Sequence, residues 1–124
     1  MFIVDDDPFW AAMLTQMLND LGYFNVLSFT NGTDCIKYLS LNPGIIFLDY
    51  QMEDINGLEV LTQIKQITPG TSVLMCTAHE DLTVAVNAMK NGSHDYMLKR
   101  NANSKDLAQI IEAMVANEVA ELVY

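Results

Sequence analysis

Ile45-Ile46-Phe47-Leu48-Asp49 is four apolar residues closed by an acid, set between Asn42-Pro43-Gly44 and the polar stretch Tyr50-Gln51-Met52-Glu53-Asp54-Ile55-Asn56-Gly57. A short unbroken apolar run between a turn signal and a polar loop reads as a strand covered on both faces, the habit of a parallel sheet. On the C-terminal side, Leu58, Leu61, Ile64 and Ile67 recur at helical spacing until Pro69 and Gly70 stop them. The alternation then repeats: Ser72 to Thr77 reads as a strand, Leu82, Ala85, Val86 and Met89 as a helix ended by Asn91 and Gly92, and Tyr96 to Lys99 as a strand. Leu107, Ile110, Ile111, Met114 and Val115 make a last helix, for which Ser104 is the expected cap. On the N-terminal side, Phe2 to Asp5 and Phe24 to Phe29 read as strands. Between them, Trp10, Met13, Leu14, Met17, Leu18 and Leu21 form one helical stripe, with Asp7 as its cap, Pro8 in its first turn and Gly22 past its end. Asn31, Gly32 and Thr33 turn the chain into a short helix ahead of Asn42. Five βα units with short connections predict α/β architecture: one doubly wound, five-stranded parallel sheet with five helices, filling a single domain over residues 1–124. The alternation leaves the strand order open.

Composition narrows the function. A chain of 124 residues that is 51% hydrophobic is long enough for one core. Its 16 acidic against 6 basic residues give a net charge of -10, which repels phosphate backbones and anionic membrane surfaces. No direct nucleic-acid binding and no membrane association are therefore expected. Cys35 and Cys76 lack metal-ligand spacing and are expected to be buried free thiols. The Asp triplet starting four residues after Met1 leaves no room for a signal peptide, and no apolar run reaches the length of a membrane span, so a cytoplasmic location is expected.

Polar side chains fall at the ends of four of the expected strands: Asp5, Asp6 and Asp7, then Asp49, Thr77 and Lys99. A doubly wound sheet binds its ligands beyond the carboxyl ends of its strands, so these groups should converge. Clustered carboxylates repel one another and are held ionised by a hard divalent cation with oxygen ligands. Mg²⁺ suits such a site, because it takes one or two carboxylates and keeps room for waters and a phosphate oxygen. A lysine and a threonine hydroxyl beside it add charge and a hydrogen bond for phosphoryl oxygens. The set points to phosphoryl transfer.

Ile3-Val4-Asp5-Asp6-Asp7-Pro8, Leu48-Asp49-Tyr50-Gln51-Met52 with Asn56-Gly57-Leu58, Cys76-Thr77-Ala78 and Tyr96-Met97-Leu98-Lys99 together resemble the signature segments of bacterial response-regulator receiver domains, in order and over nearly the whole chain. The resemblance implies the flavodoxin-like (βα)5 fold of the CheY-like superfamily and a role in two-component signalling. It implies that Asp49 accepts a phosphoryl group from the phosphohistidine of a histidine kinase or phosphotransfer protein. By the same resemblance Asp5, Asp6, Asp49 and the backbone carbonyl of Gln51 hold Mg²⁺, Lys99 and Thr77 bind the phosphoryl group, and Thr77 and Tyr96 form the switch. The switch would drive an output domain or downstream protein, with dimerisation on phosphorylation through the face made by the fourth and fifth helices. Such a chain catalyses only its own phosphorylation and dephosphorylation. Gln51 and His79, bordering the path of hydrolytic water, would tune the lifetime of the phosphorylated form.

The pattern departs from the family at two places: Glu53 follows Met52 and Arg100 follows Lys99, where proline is common. Loss of the prolines is expected to change loop rigidity, and Arg100 to alter the electrostatics of the pocket. Glu53 and Asp54 read as a solvated acidic pair, Met13, Met17, Met89 and Met114 as packing residues, and His94 as a turn residue. Two rivals stay in view. One is an aspartyl-phosphate phosphatase, which needs a second Asp where Gln51 stands; the other is a degenerate receiver that only binds proteins. A nucleotide-binding fold lacks its Gly-rich phosphate loop here.

Overall fold

A computed structural model describes residues 1–123, with side chains described through Ala116, so the expected domain span ends one residue beyond them. The strands are β1 (Phe2–Val4), β2 (Leu27–Phe29), β3 (Ile45–Asp49), β4 (Ser72–Thr77) and β5 (Asp95–Leu98). The helices are α1 (Pro8–Asp20), α2 (Gly32–Lys37), α3 (Gly57–Ile67), α4 (Leu82–Lys90) and α5 (Ser104–Val123). All five strands pair in parallel in the order β2-β1-β3-β4-β5. This is the flavodoxin-like order, whose switch point lies between β1 and β3, the first followed directly by Asp5 and the second ending in Asp49.

Strand alternation divides the core. Phe2, Val4, Ile46, Leu48, Val73 and Met75 pack with Cys35 of α2, Val60, Leu61 and Ile64 of α3, and Ala88 of α4. Ile3, Ile45, Phe47, Leu74 and Cys76 pack on the opposite face with Trp10, Leu14 and Leu18 of α1 and Leu107, Ile111 and Met114 of α5. Every residue of β3 is buried, as its continuous apolar run requires. Both thiols are free and buried, and burial pushes Cys35 up to about 12 and Cys76 upward too.

Several expectations need correction. Strand β2 starts at Leu27 rather than Phe24, because Val26 N–H turns back to Phe24 O and pairing with β1 begins only at Leu27 N–H to Met1 O. Phe24 is left 76% exposed. Strand β1 stops at Val4, and β5 runs Asp95–Leu98, so that Lys99 opens a short 3-10 turn over Lys99–Asn101. Asn103 rather than Ser104 caps α5, its side-chain oxygen accepting from Asp106 N–H at 2.9 Å. Met114 is buried, but Met13 and Met89 are exposed, so helical spacing alone overstated the core. Asp7 does cap α1, accepting from Phe9 N–H, with Pro8 in the first turn. Among the described residues no helix is long and apolar enough to cross a membrane.

Candidate functional site

The ends of β1, β3 and β5 bring their polar residues to one edge. Asp5, Asp6 and Asp49 each offer a carboxylate oxygen within 4.8 Å of the others. Lys99 Nζ lies 2.6 Å from Asp5 Oδ2 and 3.6 Å from Asp49 Oδ1. Its ammonium also stands over the Trp10 ring, 5.5 Å from the centroid. A cleft of about 490 Å³ opens here, with Asp6, Asp49, Gln51, Glu53, Ala78 and Lys99 in its walls.

Electrostatics follow from burial. Asp49 is only 5% exposed, and desolvation, reinforced by the Asp5 charge, pushes its carboxyl up to about 7 against the pull of Lys99 and the Gln51 N–H. Desolvation raises Asp5 too, with Lys99 opposing. Lys99 is pulled down by its own burial but pushed up further by Asp5 and Asp49, so it stays charged. Asp5 Oδ1 accepts from Asp7 N–H at 2.8 Å, whereas buried Oδ2 has the Lys99 charge beside it but no aligned hydrogen bond. An all-oxygen set of acids, crowded and short of donors, fits a hard divalent cation held by Asp5, Asp6 and Asp49.

Thr77, at the end of β4, is buried, and its Oγ1 accepts from His79 N–H at 3.4 Å. The Tyr96 hydroxyl donates to His79 O at 3.1 Å. The two residues expected to form a switch are thus joined by the backbone of His79, not by its imidazole. Desolvation raises the Tyr96 phenol, and the neighbouring charges of Asp81 and Glu80 raise it further. Tyr96 also borders a second hollow of about 410 Å³ between α4, β5 and α5, together with Leu82, Ala85, Asp81, Asp106 and Ile110.

Arg100 does not enter the pocket; its guanidinium pairs with Glu80 at 2.9 Å, both side chains being largely exposed. Asp54 is the residue that sequence reasoning missed. Rather than being merely solvated, it accepts from Gly32 N–H, Thr33 N–H and Thr33 Oγ1. The signal was Asn31-Gly32-Thr33, read only as a turn, whose freed amide groups need an acceptor.

A parallel sheet of this order, with three acids and a charged lysine gathered at the carboxyl edge where such sheets take their ligands, defines a doubly wound α/β domain. Comparison with known proteins makes this particular. The model of the response regulator receiver domain family matches residues 1–112. The chain belongs to that family. It is 32% identical over 98 residues to the chemotaxis protein CheY of Thermotoga maritima, covering 78% of this chain and 82% of that protein. It is 36% identical over 99 residues to the DNA-binding transcriptional regulator NtrC of Escherichia coli, covering 79% of this chain but only 21% of that protein. Among solved structures, the signal receiver domain of a putative Luxo repressor protein from Vibrio parahaemolyticus superposes with a TM-score of 0.89 at 28% identity, covering 98% of this chain and 93% of that one.

Proposed function

We propose that this chain accepts a phosphoryl group on Asp49 from the phosphohistidine of a histidine kinase or phosphotransfer protein, in a Mg²⁺-dependent reaction. The observation that carries the reading is the convergence of Asp5, Asp6, Asp49 and Lys99 from three separate strand ends, with Asp6, Asp49 and Lys99 opening into one cleft. In the reaction an Asp49 carboxylate oxygen attacks phosphorus. An O–P bond forms as the N–P bond breaks, and the electron pair returns to the imidazole nitrogen, which takes up a proton. Asp49 must be ionised to attack. Burial opposes that, and Lys99 at 3.6 Å favours it. Asp5, Asp6, Asp49 and the Gln51 carbonyl would hold Mg²⁺, which supplies positive charge to the acids and the phosphoryl oxygens. Lys99 has the reach and charge to bond a phosphoryl oxygen, and the Thr77 hydroxyl can give up its contact with His79 N–H to donate to another.

Because Thr77 and Tyr96 share His79, a Thr77 that turns toward the phosphoryl group alters the seat of the Tyr96 hydroxyl and the hollow beside α4 and α5. An output domain, a downstream protein or a second copy of the chain would read that face. The reading places the chain in the cytoplasm, where kinases charge their phosphohistidines from ATP, and assigns it no substrate beyond its own phosphorylation and dephosphorylation.

Intact-mass measurement with Mg²⁺ and acetyl phosphate tests this. One labile phosphoryl group is expected, absent without Mg²⁺ and absent in Asp49→Asn. Continuous consumption of the donor would reveal a phosphatase, and no mass gain a degenerate, purely binding receiver. Followed after donor removal, the same signal reads the lifetime, which substitutions at Gln51 and His79 should change; equal lifetimes would dismiss their tuning role.

A further inference from the structure

The Tyr50–Asn56 loop carries Gln51 on one side and Asp54 on the other; where it leaves β3, Tyr50 N–H donates to Cys76 O at 3.2 Å and the Gln51 N–H bonds the Asp49 carboxylate, and two further fastenings hold its far side. At its C-terminal end Gly57 N–H donates to Tyr50 O at 2.8 Å. Before that, Asp54 reaches across to the start of α2: Oδ2 accepts from Thr33 Oγ1 at 2.8 Å and from Thr33 N–H at 3.0 Å, and Oδ1 accepts from Gly32 N–H at 3.3 Å. Gly32 is also packed tightly against the loop and α3, since a Cβ there would sit 2.9 Å from Ile55 Cγ1 and 2.5 Å from Val60 Cγ2. Glu53, unlike a proline, leaves its own φ free, so the backbone between Gln51 and Asp54 needs an outside anchor. Asp6 and Glu53 line both the acidic cleft and the adjoining hollow that contains Asp54 and Thr33, so the anchor lies one wall away from the cleft.

We propose that Asp54 is a positioning residue: by gripping Gly32 and Thr33 it holds the Tyr50–Asn56 loop against α2 and so keeps Gln51 in the wall of the acidic cleft, where a divalent cation binds. The inference rests on the functional reading above and extends it to the residue that sets the geometry of the loop. Groups that orient a metal ligand without touching the metal change affinity strongly, roughly tenfold or more.

The test uses the whole chain. Mg²⁺ is titrated against the emission of Trp10, whose ring lies under the Lys99 ammonium, and thermal unfolding of each variant is measured in chelator. Asp54→Ala should weaken Mg²⁺ binding roughly tenfold, and the slowed labelling by acetyl phosphate should recover at saturating Mg²⁺. Asp54→Asn keeps one acceptor for the two Thr33 donors but turns an NH2 toward Gly32 N–H, so it should recover part of the affinity; an Asn variant as weak as Ala would show that the Thr33 bonds do not position the loop and overturn the proposal. Lower thermal stability with Mg²⁺ affinity within about twofold of the parent would reduce Asp54 to a cap of α2 and also overturn it. If Asp54→Ala does not fold, Thr33→Val removes the 2.8 Å donor alone and should cost roughly two- to threefold in Mg²⁺ affinity; no change there counts against the proposal. A parent chain that binds no Mg²⁺ removes the functional reading and this inference together. A parent that binds, with both variants unchanged, removes only the inference.

Discussion

Asp49 and Asp54 stand at opposite ends of one turn of chain, and their surroundings move them in opposite directions. Asp49 is buried at the end of β3 with another acid beside it, and its carboxyl is pushed up to about 7. Asp54 is exposed; the small desolvation it suffers is overcome by the N–H groups of Thr33, Ile55 and Gly32 and the Thr33 hydroxyl, which hold it down to about 2. Two carboxylates of the same chemistry thus serve opposite ends. Burial with few donors leaves a charge seeking a cation, whereas exposure with many donors makes a structural anchor. Reactivity is kept where satisfaction is incomplete.

The strongest way to break that contrast is to take away the Lys99 ammonium, the cation paired with Asp49 among the described residues. In Lys99→Met, Asp5 and Asp49 face each other buried and without counter-charge. Removing one partner of a buried ion pair costs on the order of 3–5 kcal/mol. The loss should be large near pH 8 without divalent cations and smaller near pH 5, where the Asp49 carboxyl, pushed up to about 7, holds a proton. Urea unfolding at the two pH values checks it. Equal losses at both would mean that Lys99 serves packing against Trp10 rather than charge.

The contrast also marks what sequence could and could not reveal. Ile45–Leu48 announced a buried strand because an unbroken apolar run has few other uses, and the meeting of Asp5, Asp6, Asp49 and Lys99 was legible because strand ends in a parallel sheet share an edge. Asp7 and Pro8 marked the start of α1 through local chemistry alone. Features that depend on a distant partner stayed hidden. Phe24 looks like strand, but β1 is only three residues long and offers it nothing to pair with. Met13 and Met89 sit at helical spacing, yet among the described residues they are left partly open to solvent. Asp54 and Thr33 belong to different βα units, and nothing in a linear pattern aligns one with the other.

A second test sets the two carboxylates against each other in pH. The unfolded value of Asp49 is near 3.8 and its folded value about 7. Between them the native state holds a proton that the unfolded chain has released, so this group's contribution to stability falls as pH rises through that window. Asp54 behaves in reverse: its contribution is full above 3.8 and is lost as pH falls toward about 2. Held as proposed, Mg²⁺ would compete with the proton on Asp49 and not with anything on Asp54. Its stabilisation over chelator should therefore grow between about pH 5 and pH 8, reaching about 2.7 kcal/mol at a hundredfold excess over Kd. Thermal midpoints with and without Mg²⁺ read it; a gain independent of pH would detach the cation from Asp49.

The smallest effect expected comes from the seam between the two regions. A Cβ on Gly57 would lie 2.5 Å from the backbone oxygen of Asp49 and 2.7 Å from Tyr50 Cα, and neither atom can rotate away as a side chain could. Gly57→Ala must push the loop off the strand, at a cost of about 1–3 kcal/mol, stretching the Gly57 N–H bond to Tyr50 O. The direction of that shift is what sharpens the comparison. If Asp54 and Gly57 hold the two sides of one loop, freeing one leaves less for the other to lose. The double variant Gly57→Ala/Asp54→Ala should then fall short of the summed single losses by more than the ~0.5 kcal/mol scatter of independent sites. Strict additivity in denaturant unfolding would show instead that the anchor at α2 and the seam at β3 are separate devices that happen to share a loop.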